Sequence, residues 1–205
     1  MNARRLLPTT GALCGILLLW VSPNLQGAST LVLNGSPAHL CYLAALQRED
    51  SHGLDDCDAA IEHQALPTQD LASTHSNRAL LLARDGDLRG ALKDHLRAVE
   101  LAPQVASIRI NRANLYTRQR QFKLALDDLD LAAAMDDPVR HLAFYNRALL
   151  HQRLGNAAAA REDAEQALAY APDNEAYVEY LKTLQPAEPV IVRPPRTIKV
   201  PSPPQ

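Results

Sequence analysis

The triplet Asn-Arg-Ala occurs at residues 77–79, 111–113 and 146–148, spaced 34 and then 35 residues apart. A period of that length marks a stacked repeat, in which each unit packs only on its neighbours. Twelve residues after the triplet alanines (Ala79, Ala113, Ala148) stand Ala91, Ala125 and Ala160, and seven further on Ala98, Ala132 and Ala167. Pro103, Pro138 and Pro172 close the units, the middle one with a single extra residue before its proline. Gly86 and Gly155 fall between the first and second alanines. Each unit therefore reads as a helix of about 13 residues, a tight turn, a second helix and a Pro-marked turn.

The alanines have a physical task. Antiparallel helices approach closely only where side chains are short, and Ala gives that contact without loss of helicity. Leu81, Leu115 and Leu150 on the first helices, with Leu92, Leu126 and Leu168 on the second, are the expected core. One hairpin cannot bury its apolar face alone, so neighbours must stack into a superhelix. Val and Ile are scarce and aromatics make up only 4% of the chain, which leaves little material for sheet. The formal net charge of −2, with both signs interspersed, leaves no footprint for nucleic acid or an anionic membrane.

The stretches NRALLHQRLGNAAAAREDAEQALAYAP (146–172) and NRALLLARDGDLRGALKDHLRAVELAP (77–103) resemble the tetratricopeptide repeat. The aromatic start of that pattern survives only as Phe144, Arg replaces its Leu, and Ala replaces its Gly. The resemblance implies an all-α solenoid of antiparallel helix hairpins, with first helices lining a concave groove that receives extended peptides. The same offsets recover a decayed unit upstream, through Cys41, Gly53, Ala60 and a slightly late Pro67. Downstream, Asp173 and Asn174 can cap a last helix, Glu175–Leu184, expected to close the stack. The tail PAEPVIVRPPRTIKVPSPPQ is expected to be extended, and its RPPR stretch is a candidate polyproline ligand.

Met1–Arg5 carries two arginines, an apolar stretch runs from Leu13 to Val21, and Gly27, Ala28 and Ser29 are small, the layout of a secretory signal peptide. The organisation expected is then a signal peptide (1–29), a degenerate helix pair (30–71), three repeats (72–105, 106–140, 141–172), a capping helix (173–185) and a Pro-rich tail (186–205). Export would place the protein in the periplasm or outside the cell, with no stable membrane insertion once the signal is cleaved. Cys41 and Cys57 would then meet an oxidising compartment. Cys41 takes the triplet-alanine place, and Cys57 the place of His95, Leu129 and Ala164 on the facing helix, so a disulfide is expected. A metal site would need further ligands, and a redox pair is usually written Cys-x-x-Cys.

No phosphate loop, nucleophile elbow or His-Glu-x-x-His stretch occurs, so neither an enzyme nor a cofactor is expected. A second ladder does stand out. Seven residues after each triplet Asn comes an Arg, pairing Asn77 with Arg84, Asn111 with Arg118 and Asn146 with Arg153, two helical turns apart on one face. With Asn114 and Gln152 these are the candidate groove residues. Asn amides can pair with a peptide backbone and Arg can fork onto carboxylates, which points to an acidic or C-terminal segment of a protein partner. The alternative for both rows is structural, since Arg near a helix C-terminus is favoured by the dipole without any ligand. Arg78, Arg112 and Arg147 each precede an aspartate by sixteen residues (Asp94, Asp128, Asp163), and an internal Arg–Asp ladder is their expected use.

Overall fold

The computed structural model describes residues 35–47 and 52–184, all within the unit Val32–Gln205. The expected signal peptide (1–29) and Pro-rich tail (186–205) lie outside these residues. The described residues form helices alone: α1 (Pro37–Leu46), α2 (Gly53–His63), α3 (Thr68–Asp85), α4 (Leu88–Leu101), α5 (Ala106–Arg118), α6 (Phe122–Ala134), α7 (Arg140–Arg153), α8 (Ala157–Tyr170) and α9 (Glu175–Thr183). They pair as hairpins α1–α2, α3–α4, α5–α6 and α7–α8, and the first helices α3, α5 and α7 also pack on one another. This is an all-α solenoid closed by α9. None of the described helices is long and apolar enough to cross a membrane.

Close packing at the alanines sets the geometry. Ala79, Ala91, Ala98, Ala113, Ala125, Ala132, Ala148, Ala160 and Ala167 are all completely buried. In the first hairpin Gly53 takes the second-alanine place, and there even a methyl group is too large: a Cβ would lie 2.4 Å from that of Ala44. Leu81, Leu115 and Leu150 are buried as expected. Leu92, Leu126 and Leu168 are only half-buried; the alanine contacts already seal each hairpin, and Leu92 and Leu126 pack on the core from its edge.

The turns follow the same register. Gly86 (φ 92°) and Gly155 (φ 81°) are left-handed, seven residues after their triplet alanines, and Arg120 (φ 60°) takes the same place in the middle unit. Arg120 carries there a backbone cost of roughly 1 kcal/mol that glycine avoids. α3 is longer than the spacing suggests, 18 residues starting at Thr68 rather than near 72. Pro67 fixes an extended backbone at its N-cap (ψ 150°), and Asp70 in the first turn suits the helix dipole. At the far end Asn174 caps α9 by accepting a hydrogen bond from the Ala176 N–H (3.1 Å), and Tyr177 and Tyr180 turn inward onto Tyr145 at ring distances of 4.7 and 5.4 Å.

Cys57, His95, Leu129 and Ala164 occupy one place in successive hairpins, and each is at most 1% exposed. Cys57 is joined to Cys41 by a disulfide. His95 is the misfit in this row, since its buried Nδ1 has no hydrogen-bond partner among the described residues. Burial holds its imidazole down at about 4, with Arg112 pushing the same way against Asp94 and Asp128. A depressed histidine contributes stability that is full above its unfolded value, near 6.5, and lost as pH falls toward 4. His95→Leu, which copies Leu129, should equal or exceed the parent at pH 7. It should also flatten the loss below pH 6.5 by up to about 1.4 kcal/mol per pH unit. Urea midpoints measured at pH 7 and pH 5 test this; an unchanged difference between the two would refute it.

Candidate functional site

The Arg–Asp ladder is built between the two helices of each hairpin. Asp94 (α4), Asp128 (α6) and Asp163 (α8) are 3–4% exposed. Each receives a two-pronged fork from its first helix: Arg78 Nε and Nη2 at 2.6 and 2.8 Å, Arg112 at 2.7 and 2.7 Å, Arg147 at 2.9 and 2.6 Å. A further cation or histidine supports each carboxylate: His75 on Asp94 (3.0 Å), Arg109 on Asp128 (3.4 Å) and His151 near Asp163 (3.8 Å). Burial works to raise Asp94, but the hydrogen bonds from Arg78 and His75 outweigh it and hold the carboxyl below its usual range. Arg78 and Arg147 use their remaining Nη1 on the preceding hairpin, reaching Asp58 and Asp130, both at 2.6 Å. Arg78 and Arg147 thus engage all three guanidinium nitrogens, and Arg112 two of its three, in bonds that hold the hairpins and their stack together.

The Asn and Arg rows lie on another face of the first helices. Three four-residue strips share it at helical spacing: Ser73, Asn77, Leu80 and Arg84 on α3; Ser107, Asn111, Asn114 and Arg118 on α5; Leu142, Asn146, Leu149 and Arg153 on α7. All twelve are exposed or half-exposed, and none is acidic.

The structure separates residues that the sequence pattern treats alike. Arg84 is engaged with the preceding hairpin: its Nη1 donates to the carbonyls of Ala44 (3.1 Å) and Gln47 (2.6 Å), and its Nη2 to that of Ala45. The last carbonyls of α1 have no partner within their own helix, and Arg84 satisfies them. Arg153 lies over the Phe122 ring, 5.5 Å from its centroid. Gln152 accepts from the Tyr180 hydroxyl (3.3 Å) and so helps to seat α9. Asn146 donates to the Leu142 carbonyl of its own helix (2.7 Å), while Asn111 donates to Ser76 Oγ (3.1 Å) and ties α5 to α3. Asn77, Asn114 and Arg118 make no polar contact with any described residue, and Arg118 is exposed. Leu142 and Leu149, each 37% exposed, were not anticipated; their offsets from Asn146 repeat those of Ser107 and Asn114 from Asn111. The face therefore carries one leucine on α3, none on α5 and two on α7.

Residues 142–174 match the family model of the tetratricopeptide repeat. No curated protein matches the chain by sequence. Several solved structures share its fold. The second TPR domain of human RPAP3, in complex with the HSP70 peptide SGPTIEEVD, aligns with 58% of this chain and 98% of its own at TM-score 0.51 and 23% identity. The first TPR of Spaghetti (RPAP3), bound to the HSP90 peptide SRMEEVD, aligns with 55% of this chain and 89% of its own at TM-score 0.50 and 22% identity. A chain of the APC/C hetero-tetramer Cut9-Hcn1 covers more of the protein, 73%, but only 27% of itself, at TM-score 0.58 and 19% identity. The fold is that of tetratricopeptide solenoids.

Proposed function

We propose that the protein is a non-catalytic interaction scaffold whose first-helix face docks a short extended segment of a partner protein, acidic at its C-terminal end. The observation that carries this reading is the composition of the twelve-residue face: an unpaired Arg118, open amide groups at Asn77 and Asn114, an apolar end at Leu142 and Leu149, and no carboxylate. An extended peptide has unpaired backbone groups that Asn side chains satisfy, and its terminal carboxylates suit a guanidinium. Two TPR domains of similar fold, the first and the second of RPAP3, bind peptides ending in Glu-Glu-Val-Asp, the acidic chemistry proposed here. The reading extends to location. A signal-like N-terminus and a fully buried Cys41–Cys57 disulfide suit an exported protein of the periplasm or extracellular space.

A second reading has its own support. Arg84 and Arg153 serve neighbouring hairpins, and the same would hold in a purely structural helical module of an envelope complex. The two readings separate on Arg118. Fluorescein-labelled SRMEEVD should bind the wild-type chain, and Arg118→Glu should weaken it by at least about ten-fold, ~1.4 kcal/mol. An exposed substitution of this kind shifts stability by no more than about 0.5 kcal/mol, so folding is not at issue. Equal anisotropy titrations for the two proteins would leave the structural reading.

A further inference from the structure

The second helices carry a signature of their own. Two and five residues after the second-alanine place, three hairpins have a pair of carboxylates: Asp55 and Asp58 on α2, Asp127 and Asp130 on α6, Glu162 and Glu165 on α8. On α4 the same two places hold Lys93 and Leu96. The charge is inverted at one and replaced by an exposed apolar side chain at the other, Leu96 being 47% exposed. Surface cations elsewhere on the second helices are matched within the helix, Lys123 by Asp127 (2.8 Å) and Arg161 by Glu165 (2.9 Å). Arg89 and Lys93 have no such partner among the described residues, and Arg97 is held only by Glu100 (2.9 Å). These residues meet in one place. Arg89, Leu92, Lys93, Leu96 and Arg97 line a cleft of about 660 Å³, together with the Arg78–Asp94 pair, His75 and Glu100, the carboxylate that Arg97 holds.

We propose that this cleft on α4 is a second docking surface, taking an acidic peptide segment that carries a large apolar side chain. The apolar side chain covers Leu96 and Leu92, and flanking carboxylates reach Arg89 and Lys93. The volume suits a few side chains rather than a whole domain. Arg78 is already engaged by Asp94 and Asp58, so Arg89 and Lys93 are the cations left for the ligand. A nucleic acid fits poorly. Recognition of a long polyanion needs an extended basic surface, whereas the carboxylate pairs of the neighbouring α2 and α6 would repel it, and a phosphate backbone gains nothing from Leu96. The proposal stands apart from the first-helix face and involves none of its residues.

Fluorescence anisotropy on the full chain tests it with three labelled octapeptides, alternating Glu and Leu, alternating Glu and Ser, and alternating Lys and Leu. The Glu/Leu peptide is expected to bind at least about ten-fold more tightly than either control. Leu96→Ser should abolish its advantage over the Glu/Ser peptide, and Arg89→Ser with Lys93→Ser should remove salt-sensitive binding, while Arg118→Glu leaves both intact. All of these positions are exposed, so the variants keep the fold. Failure of the Glu/Leu peptide to bind, or binding indifferent to Leu96→Ser, would overturn the proposal. So would tighter binding of a single-stranded oligonucleotide or of phosphatidylglycerol vesicles through the same residues. A loss caused only by Arg118→Glu would assign the peptide to the first-helix face instead.

Discussion

Asp128→Ala is expected to cost the protein about 3–5 kcal/mol, the largest effect of any single substitution considered. The carboxylate is 3% exposed, takes both prongs of Arg112, and is within 3.4 Å of Arg109. Arg112 is nearly as enclosed, its side chain being 14% exposed, and the bond to Asp128 raises its pKa despite burial. Deleting the carboxylate leaves that cation in a poorly solvated place without compensation, and the charge cannot be shed at accessible pH. The position sits in the third of four hairpins, with a neighbour on each side, so the loss also weakens two interfaces of a stack that holds by nearest-neighbour contacts. Asp130→Ala makes the contrast. Its side chain is 60% exposed and meets only the outer Nη1 of Arg147, so removal should cost under about 1 kcal/mol. Replacing the pair, Arg112→Met with Asp128→Leu, should recover part of the loss, since the Arg112 cation goes with its partner while Arg109, 13% exposed and 3.4 Å from Asp128, still loses that carboxylate. Urea unfolding followed by far-UV circular dichroism measures all three; an Asp128→Ala protein within about 1 kcal/mol of the parent would show the ladder to be dispensable.

The repeat was legible because its contacts are local and identical. Ala at fixed offsets encodes helix approach directly, and the Arg–Asp ladder follows from a constant sixteen-residue step within each hairpin. Contacts between hairpins left no such trace. Arg84, Arg118 and Arg153 are equivalent in spacing, yet one serves the end of α1, one lies on Phe122 and one is open. What decides is the turn each meets on the preceding unit, and those turns differ in sequence. The Asn111–Ser76 bond crosses from one first helix to the next and is invisible within a period. Leu142 and Leu149 were hidden for another reason: in a chain so rich in leucine, an exposed one has no compositional signal. The left-handed Arg120 was missed because the expected marker of such a turn, glycine, is absent there.

Loss of the Cys41–Cys57 bond, by reduction or by Cys41→Ser with Cys57→Ser, should cost about 3 kcal/mol and should do so at one end of the stack. The crosslink spans 16 residues and is completely buried between α1 and α2. α1 has little else to hold it. Its ten residues bury only Cys41, Ala44 and Ala45, while Tyr42 and Leu46 are 48% and 63% exposed. The other ties are the Arg84 bonds to its final carbonyls and a hydrogen bond from the Ala38 N–H to Gln64 Oε1 (3.2 Å). The remaining hairpins carry their own buried Arg–Asp pairs and owe nothing to the bond. Hydrogen exchange should therefore accelerate by about 150-fold, the equivalent of ~3 kcal/mol, for amides of α1 and α2, with α5 to α8 unchanged. Uniform acceleration through α8 would mean that the solenoid unfolds as one cooperative body, and no acceleration in α1 would mean that packing and the Arg84 cap suffice. The local outcome has a structural corollary: with α1 loosened, Arg84 loses the carbonyls of Ala44, Ala45 and Gln47 and joins Arg118 as an unpaired cation on the first-helix face.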